Sequence, residues 1–203
     1  MPYSEFTLKD LKLKFGIKNY VEPIFYDISP IQPSDWLKTT LQKTSKLRAR
    51  TEKAKSETIV FPILIEIKDK NDDFITIYSG DTLVADAEKG LTGECDFIIT
   101  KEVKSFDINF PIMQIVEAKK HDIDIGIPQC AAQMYGAKIY NEKNNTPIDY
   151  IYGCVTTGNE WRFLKLNETL TIDKRIYYLN EIELLLSVFQ NIVDHYKGLI
   201  KKS

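Results

Sequence analysis

Three ionisable residues lie inside or directly after apolar segments of this chain. Asp96 falls within the run 95–99, and Glu117 and Lys119 close the run 112–116. Charged side chains are expensive to bury unless they pair with each other or bind a metal. Strand side chains alternate, so Glu117 and Lys119 face one side, and Asp96 joins them if the two strands are neighbours. Two carboxylates and a lysine on one patch predict a divalent-metal site for phosphodiester cleavage.

The same three residues also fit a second interpretation, a buried ion pair without catalysis. In that case Lys119 only neutralises one of the two acids. In the catalytic interpretation, Asp96, Glu117 and a main-chain carbonyl near Ala118 supply oxygen ligands to Mg²⁺ or Mn²⁺. Lys119 then orients the attacking water or stabilises the charge of the transition state.

The composition places the chain among ordinary globular proteins. It has 203 residues, of which 43% are hydrophobic and 28% charged, which fits a single domain with a substantial core. The formal net charge of -2 excludes binding of a polyanion by bulk charge, so a nucleic acid would need a local basic face.

The cysteines and termini predict a cytoplasmic protein. Cys95, Cys130 and Cys154 are widely spaced and lie in apolar runs, which favours buried thiols in a reducing compartment over disulfides or a zinc site. Two histidines are too few for a histidine-rich metal site. The N-terminus lacks the pattern of a signal peptide, and no apolar stretch has the length of a membrane span.

The hydrophobic pattern predicts an α/β protein with a mixed sheet and helices on its faces. We expect a capped helix from Thr7 to Gly16, a proline-rich loop over 20–35, and a helix capped by Ser34. The run 59–65 is ambiguous between helix and strand. The remaining expected elements are strands over 74–78 and 83–85, a loop bracketed by Gly90 and Gly93, the two strands with Asp96 and Glu117, a helix from Gly126 to Asn141 with Pro128 in its first turn, a hairpin over 148–166, and an amphipathic helix capped by Asn180.

Asp96 followed after some twenty residues by Glu117-Ala118-Lys119, and then by a helix with glutamines, resembles the PD-(D/E)XK nuclease superfamily. The succession strand, strand, helix, strand is similar to the core of that superfamily. The hairpin over 153–163 resembles the one in its restriction-endonuclease-like members. The likeness covers about residues 50–166, and it departs from the usual signature in having Cys95 where many members have proline.

The resemblance implies a Mg²⁺-dependent DNA phosphodiesterase on a restriction-endonuclease-like fold. It implies a leading helix whose glutamate helps to hold the metal, which matches Glu57 and favours helix up to Pro62. It also implies a glutamine near the metal or the DNA on the helix after the signature. Gln129 and Gln133 lie one turn apart there, and Gln133 is the better match. Polar residues on a helix packed against a sheet are the alternative interpretation.

A basic run precedes Glu57. Residues 43–55 hold six basic side chains and one acid, and Lys46, Arg48, Arg50 and Lys53 are the candidates for contact with DNA phosphates. The alternative is a solvated charged face of a helix.

The chain is therefore interpreted as a single domain with an extension over 1–45, a nuclease-like core over 46–166, and a C-terminal part over 167–203. The expected cofactor is Mg²⁺ or Mn²⁺, without an organic cofactor and without membrane association. The size makes a homodimer one of the expected assemblies, and the apolar stripe of the last helix is expected to dock on the sheet, on a second copy or on another partner. The competing hypothesis is a non-catalytic interaction module on the same fold, because fold alone does not secure activity.

Overall fold

A mixed sheet with helices on both faces forms the centre of the protein. The computed structural model describes residues 2–101 and 107–200. Its strands are β1 (Lys18–Glu22), β2 (Ile75–Asp86), β3 (Leu91–Lys101), β4 (Ile112–Ala118), β5 (Ile151–Thr156), β6 (Glu160–Leu166), β7 (Thr169–Asp173) and β8 (Tyr177–Tyr178). Its α-helices are α1 (Leu8–Phe15), α2 (Asp35–Thr44), α3 (Glu52–Lys55), α4 (Phe61–Lys70), α5 (Ile123–Lys143) and α6 (Ile182–Ile200), and a π-helical turn, Ser56–Val60, joins α3 to α4.

The order of the strands is β1-β7-β6-β5-β4-β3-β2, with β8 paired to β6. Strands β2, β3 and β4 are antiparallel neighbours. Strand β5 runs parallel to β4, and α5 is the crossover between them. The hairpin of β5 and β6 and the parallel pairing of β1 with β7 complete the sheet. The expected mixed sheet with flanking helices is confirmed.

Two apolar clusters lie on opposite faces of this sheet. Helix α5 packs on one face together with α1 and the N-terminal residues Tyr3 and Phe6. Helices α2, α4 and α6 pack on the other face. The strand residues alternate between these clusters, for example Ile115 toward α5 and Val116 toward α4 and α6. Both faces of the central strands are therefore buried.

Several local expectations are confirmed by the caps and burial of the elements. Thr7 and Asp10 form a reciprocal capping box, and Gly16 ends α1 at φ 76°. Ser34 caps α2 by accepting a hydrogen bond from the Leu37 N–H. The three cysteines are free and buried. The ambiguous run 59–65 is helical, as the glutamate match requires.

Two expectations at the edges of the sheet were wrong. The first residues of the expected loop over 20–35 belong to β1, which has no apolar alternation because all of its side chains are exposed. It is held by main-chain pairing to β7 instead. The expected strands 74–78 and 83–85 are one strand, β2, because Gly80 at φ 73° bends the chain without ending the ladder.

Three expected starts were also displaced. Asn180 does not cap the last helix, because it lies within a 3-10 turn, Leu179–Glu181, that leads into α6 at Ile182. Helix α5 begins at Ile123, because the Asp122 side chain accepts a hydrogen bond from the Asp124 N–H, and Pro128 lies inside the helix. Strand β3 begins at Leu91, so Gly93 lies within the strand and does not end the expected loop. No helix in residues 2–101 and 107–200 is both long and apolar enough to cross a lipid bilayer.

Candidate active site

Strand pairing brings Asp96 and Glu117 together. Strands β3 and β4 are antiparallel with Phe97 opposite Val116, so Asp96 and Glu117 are the next residues on either strand. The Asp96 Oδ2 accepts a hydrogen bond from the Ala118 N–H at 2.7 Å. This contact fixes the carboxylate of β3 at the C-terminal end of β4.

In both β2 and β3, the regular alternation of side chains between the two sides of the sheet is broken near Asp96. Phe97 packs toward α4 and α6, but Cys95, two residues earlier, packs toward α5. In the partner strand, Ile77 and Leu83 likewise lie in different clusters on either side of Gly80. A regular strand would keep residues of the same parity on one face. This irregularity explains why Asp96 reaches the rim of the sheet beside Ala118.

Glu117 is the centre of a short chain of hydrogen bonds. Its side chain is almost fully buried. The Lys119 Nζ lies 2.6 Å from the Glu117 Oε1, and the Gln133 Nε2 donates to the Oε2 at 2.8 Å. Lys119 also donates to the Gln129 Oε1 at 3.0 Å. Four predicted residues, Glu117, Lys119, Gln129 and Gln133, therefore form one hydrogen-bonded cluster. Asp96 adjoins it through its bond to the Ala118 N–H and through its charge.

The pKa values of the three charged groups reflect this crowding. Burial and the neighbouring Asp96 raise the pKa of Glu117 to about 7, against the opposing effects of Lys119 and Gln133. Burial likewise raises the pKa of Asp96, although the Ala118 N–H and Lys119 oppose the shift. Burial acts to lower the pKa of Lys119, but the charge of Glu117 outweighs it and the pKa rises. Lys119 is therefore a cation at neutral pH.

A cleft of about 360 Å³ opens beside Asp96. It is lined by acidic side chains, one lysine and small residues from α3, the π-turn, β2, β3 and β4: Glu52, Lys53, Ser56, Glu57, Ser79, Gly80, Glu94, Asp96 and Ala118. Glu52 and Glu94 were not among the predicted site residues. Alternation along β3 could have indicated Glu94, two residues before Asp96.

Glu57 lines this cleft but does not join the buried cluster. Its side chain is 63% exposed and lies 3.9 Å from Lys53 in a weak ion pair. Within the described part of the chain, no three His, Cys, Asp or Glu side chains are arranged to hold a metal ion together. The role of Glu57 as a third ligand therefore stays a prediction.

The basic run is spread over a surface near the cleft. Lys46, Arg48 and Arg50 are exposed in the segment between α2 and α3, and Lys53 reaches the cleft itself. Lys55, which was not singled out, donates from its Nζ to the Lys120 carbonyl at 2.7 Å. This contact ties α3 to the segment that follows Lys119.

Comparison with known proteins adds no relative to this description. The chain matches no protein-family model, and no curated protein and no solved structure is significantly similar to it.

Proposed function

We propose that this protein is a metal-dependent phosphodiesterase of the PD-(D/E)XK type that acts on DNA. One observation carries the proposal. The buried Glu117 is held by Lys119 at 2.6 Å, and the charge of a second carboxylate, Asp96, which lines an open cleft, helps to raise the pKa of Glu117. Perturbed carboxylates in a cleft, next to a fixed cation, are the arrangement expected of an active site.

The residues of the cluster fit Mg²⁺ better than a cation that needs many protein ligands. The buried Glu117 and the half-buried Asp96 have raised pKa values and repel each other when ionised, and a bound divalent cation would relieve that repulsion. Mg²⁺ usually takes one or two carboxylates and keeps several waters, so the lack of a third acidic ligand in the described residues is compatible with it. Asp96 and Glu117 would hold the ion, which when bound supplies Lewis acidity and an activated water.

The other side chains have separate tasks. Lys119 is a cation and donates hydrogen bonds, so it would stabilise negative charge that develops on the phosphoryl oxygens. Gln133 fixes the second oxygen of Glu117, and Gln129 restrains Lys119. Glu57 and Lys53 on the cleft wall would contact the substrate or a water of the metal.

The order of the elements supports the proposal. Helix α4 is followed by β2, β3, β4, α5 and β5, with the acids on β3 and β4 and the glutamines on α5. The succession from β3 to β5 is the one that the resemblance implies. A fold likeness does not by itself establish chemistry, so the proposal depends on the site.

A nuclease assay with purified protein tests the proposal. Single- and double-stranded DNA are incubated with Mg²⁺ or Mn²⁺ and the wild-type chain, Asp96→Asn, Glu117→Gln or Lys119→Met. We expect metal-dependent cleavage that each variant lowers by about a hundredfold or more. Asp173→Asn is the matched control, because Asp173, a buried aspartate on β7, likewise accepts a main-chain N–H. Equal activity of wild type and Glu117→Gln would refute the catalytic role.

A non-catalytic interaction module is the second candidate function. It is favoured by the fact that Lys119 already neutralises Glu117 and that no third acid of the described chain completes a ligand group. Metal titration separates the two candidates. A wild-type chain that binds neither Mg²⁺ nor Mn²⁺ supports the module.

A further inference from the structure

The strand β1 is an open edge of the sheet. It stands at one end of the strand order, and no other strand of residues 2–101 and 107–200 pairs with its outer side. All five of its side chains are exposed, including Tyr20 at 48% and Val21 at 56%. An uncovered edge presents main-chain donors and acceptors that can pair with another strand.

The opposite edge, β2, has features that discourage such pairing. Gly80 at φ 73° bends it, and its register against β3 shifts between Val84 and Asp86. Bulges and bends of this kind protect edge strands against unwanted partners. Strand β1 has no positive φ and no register shift against β7. The two edges therefore differ, and only β1 is regular enough to extend the sheet.

The hydrogen bonds of β1 show which residues direct their main-chain N–H and C=O groups away from β7. The Glu22 carbonyl accepts from the Lys174 N–H, so Glu22 directs its main chain toward β7. In a parallel ladder this direction alternates along the strand, so the main-chain groups of Lys18 and Tyr20 also face β7. The main-chain groups of Asn19 and Val21 face the open side. The outer edge thus offers the N–H and C=O groups of Asn19 and Val21.

These positions are self-complementary around Tyr20. If two β1 strands pair antiparallel with Tyr20 opposite Tyr20, Asn19 of each copy lies opposite Val21 of the other. Those are the outward-pointing residues, and they would form about four main-chain hydrogen bonds. In the same register Lys18 of each copy lies opposite Glu22 of the other.

The charges favour this register. Lys18 and Glu22 form no ion pair within the described residues, and both share the face of Tyr20. Oppositely charged residues directly across an antiparallel pair are stabilising, and like charges are destabilising. The parallel alternative would place Lys18 opposite Lys18 and Glu22 opposite Glu22.

We propose that the chain forms a two-fold symmetric homodimer through antiparallel pairing of β1 with β1 of a second copy, which joins the two sheets into one. Pro23 follows Glu22 and lacks an N–H, so the new ladder ends there. The contact is short and belongs to the class of weak interfaces. The acidic cleft lies beside β2, β3 and β4 at the other end of the sheet, so both clefts remain open in the dimer.

Charge reversal tests the register by sedimentation equilibrium up to about 200 µM, a range suited to a weak interface. We expect a concentration-dependent dimer for the wild type. Lys18→Glu and Glu22→Lys should each raise the dissociation constant about tenfold or more, because each creates like-charged pairs. The double variant Lys18→Glu/Glu22→Lys should restore dimerisation. Lys38→Glu, the same change on α2 away from the edge, should leave the dimer unchanged.

A disulfide trap tests the same register covalently. The three native cysteines are buried, so an added surface cysteine is the reactive one. Tyr20→Cys should give a disulfide-linked dimer under mild oxidation, because the two sulfurs meet at the symmetry axis. Asn19→Cys should not, because Asn19 faces Val21. A wild-type chain that is monomeric throughout, single reversals without effect, or equal cross-linking of both cysteine variants would each overturn the proposal.

Discussion

At the scale of single residues, the central feature is a carboxylate that the fold keeps where ionisation is unfavourable. Glu117 is buried between Asp96, Lys119 and Gln133, and its pKa is about 7 instead of the ordinary 4.5. Such a group costs folding free energy when it ionises. A structural ion pair alone would not need the second acid nearby, and the proposed metal site would account for it.

The first prediction concerns stability between pH 5 and pH 7. The folded state holds the Glu117 proton more tightly than the unfolded state does, so the free energy of unfolding falls as the pH rises from about 4.5 to about 7. This contribution amounts to at most about 3 kcal/mol. Glu117→Gln should remove it, as measured by denaturant unfolding at pH 5 and pH 7.5.

Glu66→Gln is the control of opposite sign. Burial opposes ionisation of Glu66, but hydrogen bonds from Ser34 and the charge of Lys70 hold its pKa below the ordinary value. Its contribution is present at neutral pH and is lost as the pH falls, so Glu66→Gln should weaken the fold more at pH 7.5 than at low pH. The same pH slope in the wild type and Glu117→Gln would contradict the first prediction.

The second prediction links metal binding to pH. Only the ionised carboxylate binds a cation, so Mn²⁺ binding below pH 7 must displace a proton from Glu117. The affinity should fall by up to about tenfold for each pH unit below 7 and level off above it. Titration calorimetry at pH 6 and pH 8, in buffers of different ionisation enthalpy, measures both the affinity and the released proton. Equal affinity at the two pH values would count against Glu117 as a ligand.

At the scale of elements, α5 positions the site by packing closely on the sheet. A Cβ at Gly126 would lie 2.5 Å from the Val155 Cγ1 and 2.9 Å from the Lys119 Cγ. The first turns of α5 therefore touch the stem of Lys119 directly, and Gln129 restrains its ammonium group. At the other end of α5, the Asn141 side chain exchanges two hydrogen bonds with the main chain of Ile112 at the start of β4.

The third prediction tests this packing. Gly126→Ala removes no charged group, but the added methyl should displace Lys119 and α5. We expect a loss of about 2 kcal/mol of stability from overpacking. We also expect a fall of about tenfold or more in cleavage rate, because the lysine is misplaced. Thermal unfolding and the nuclease assay measure the two effects.

Gly198→Ala is the matched control, because nothing lies within 4 Å of a Cβ at that position in α6. This change should stabilise the protein by up to about 1 kcal/mol through helix propensity and leave cleavage unchanged. If Gly126→Ala behaves like Gly198→Ala, α5 does not control the position of Lys119.

At the scale of the whole molecule, the sheet separates three surfaces. The acidic cleft lies beside β2, β3 and β4, and the open edge β1 lies at the other end of the sheet. The third surface is the exposed basic segment between α2 and α3, which comes directly before the cleft residues of α3 in the sequence. Because the net charge is -2, the proposed attraction of DNA would depend on that local basic segment.

The fourth prediction concerns DNA affinity. The triple change Lys46→Gln/Arg48→Gln/Arg50→Gln should weaken DNA binding and lower the slope of log affinity against log salt by about 3, one for each lost phosphate contact. Fluorescence anisotropy at several salt concentrations measures this slope. Lys9→Gln/Lys12→Gln/Lys14→Gln on α1 removes the same charge elsewhere and should leave the slope unchanged. Identical slopes for both triple variants would exclude the basic segment as the contact surface.

The sequence alone was enough to predict that Asp96, Glu117 and Lys119 gather at one place. A charge inside an apolar strand needs a partner, and alternation limits where that partner can lie. The same reasoning predicted the mixed sheet, the caps of α1 and α2 and the burial of the cysteines, because these depend on local spacing and on hydrophobic pattern.

Tertiary structure alone decided the rest. Strand β1 has no pattern of its own, because main-chain pairing to β7 holds it. The change of faces at Gly80 and Cys95 depends on the whole sheet, and it sets where Asp96 meets the cleft. The separation of Glu57 from the buried cluster likewise follows from how α3 and the π-turn lie on the sheet. Contacts between residues distant in sequence fix these features, and residue spacing does not encode them.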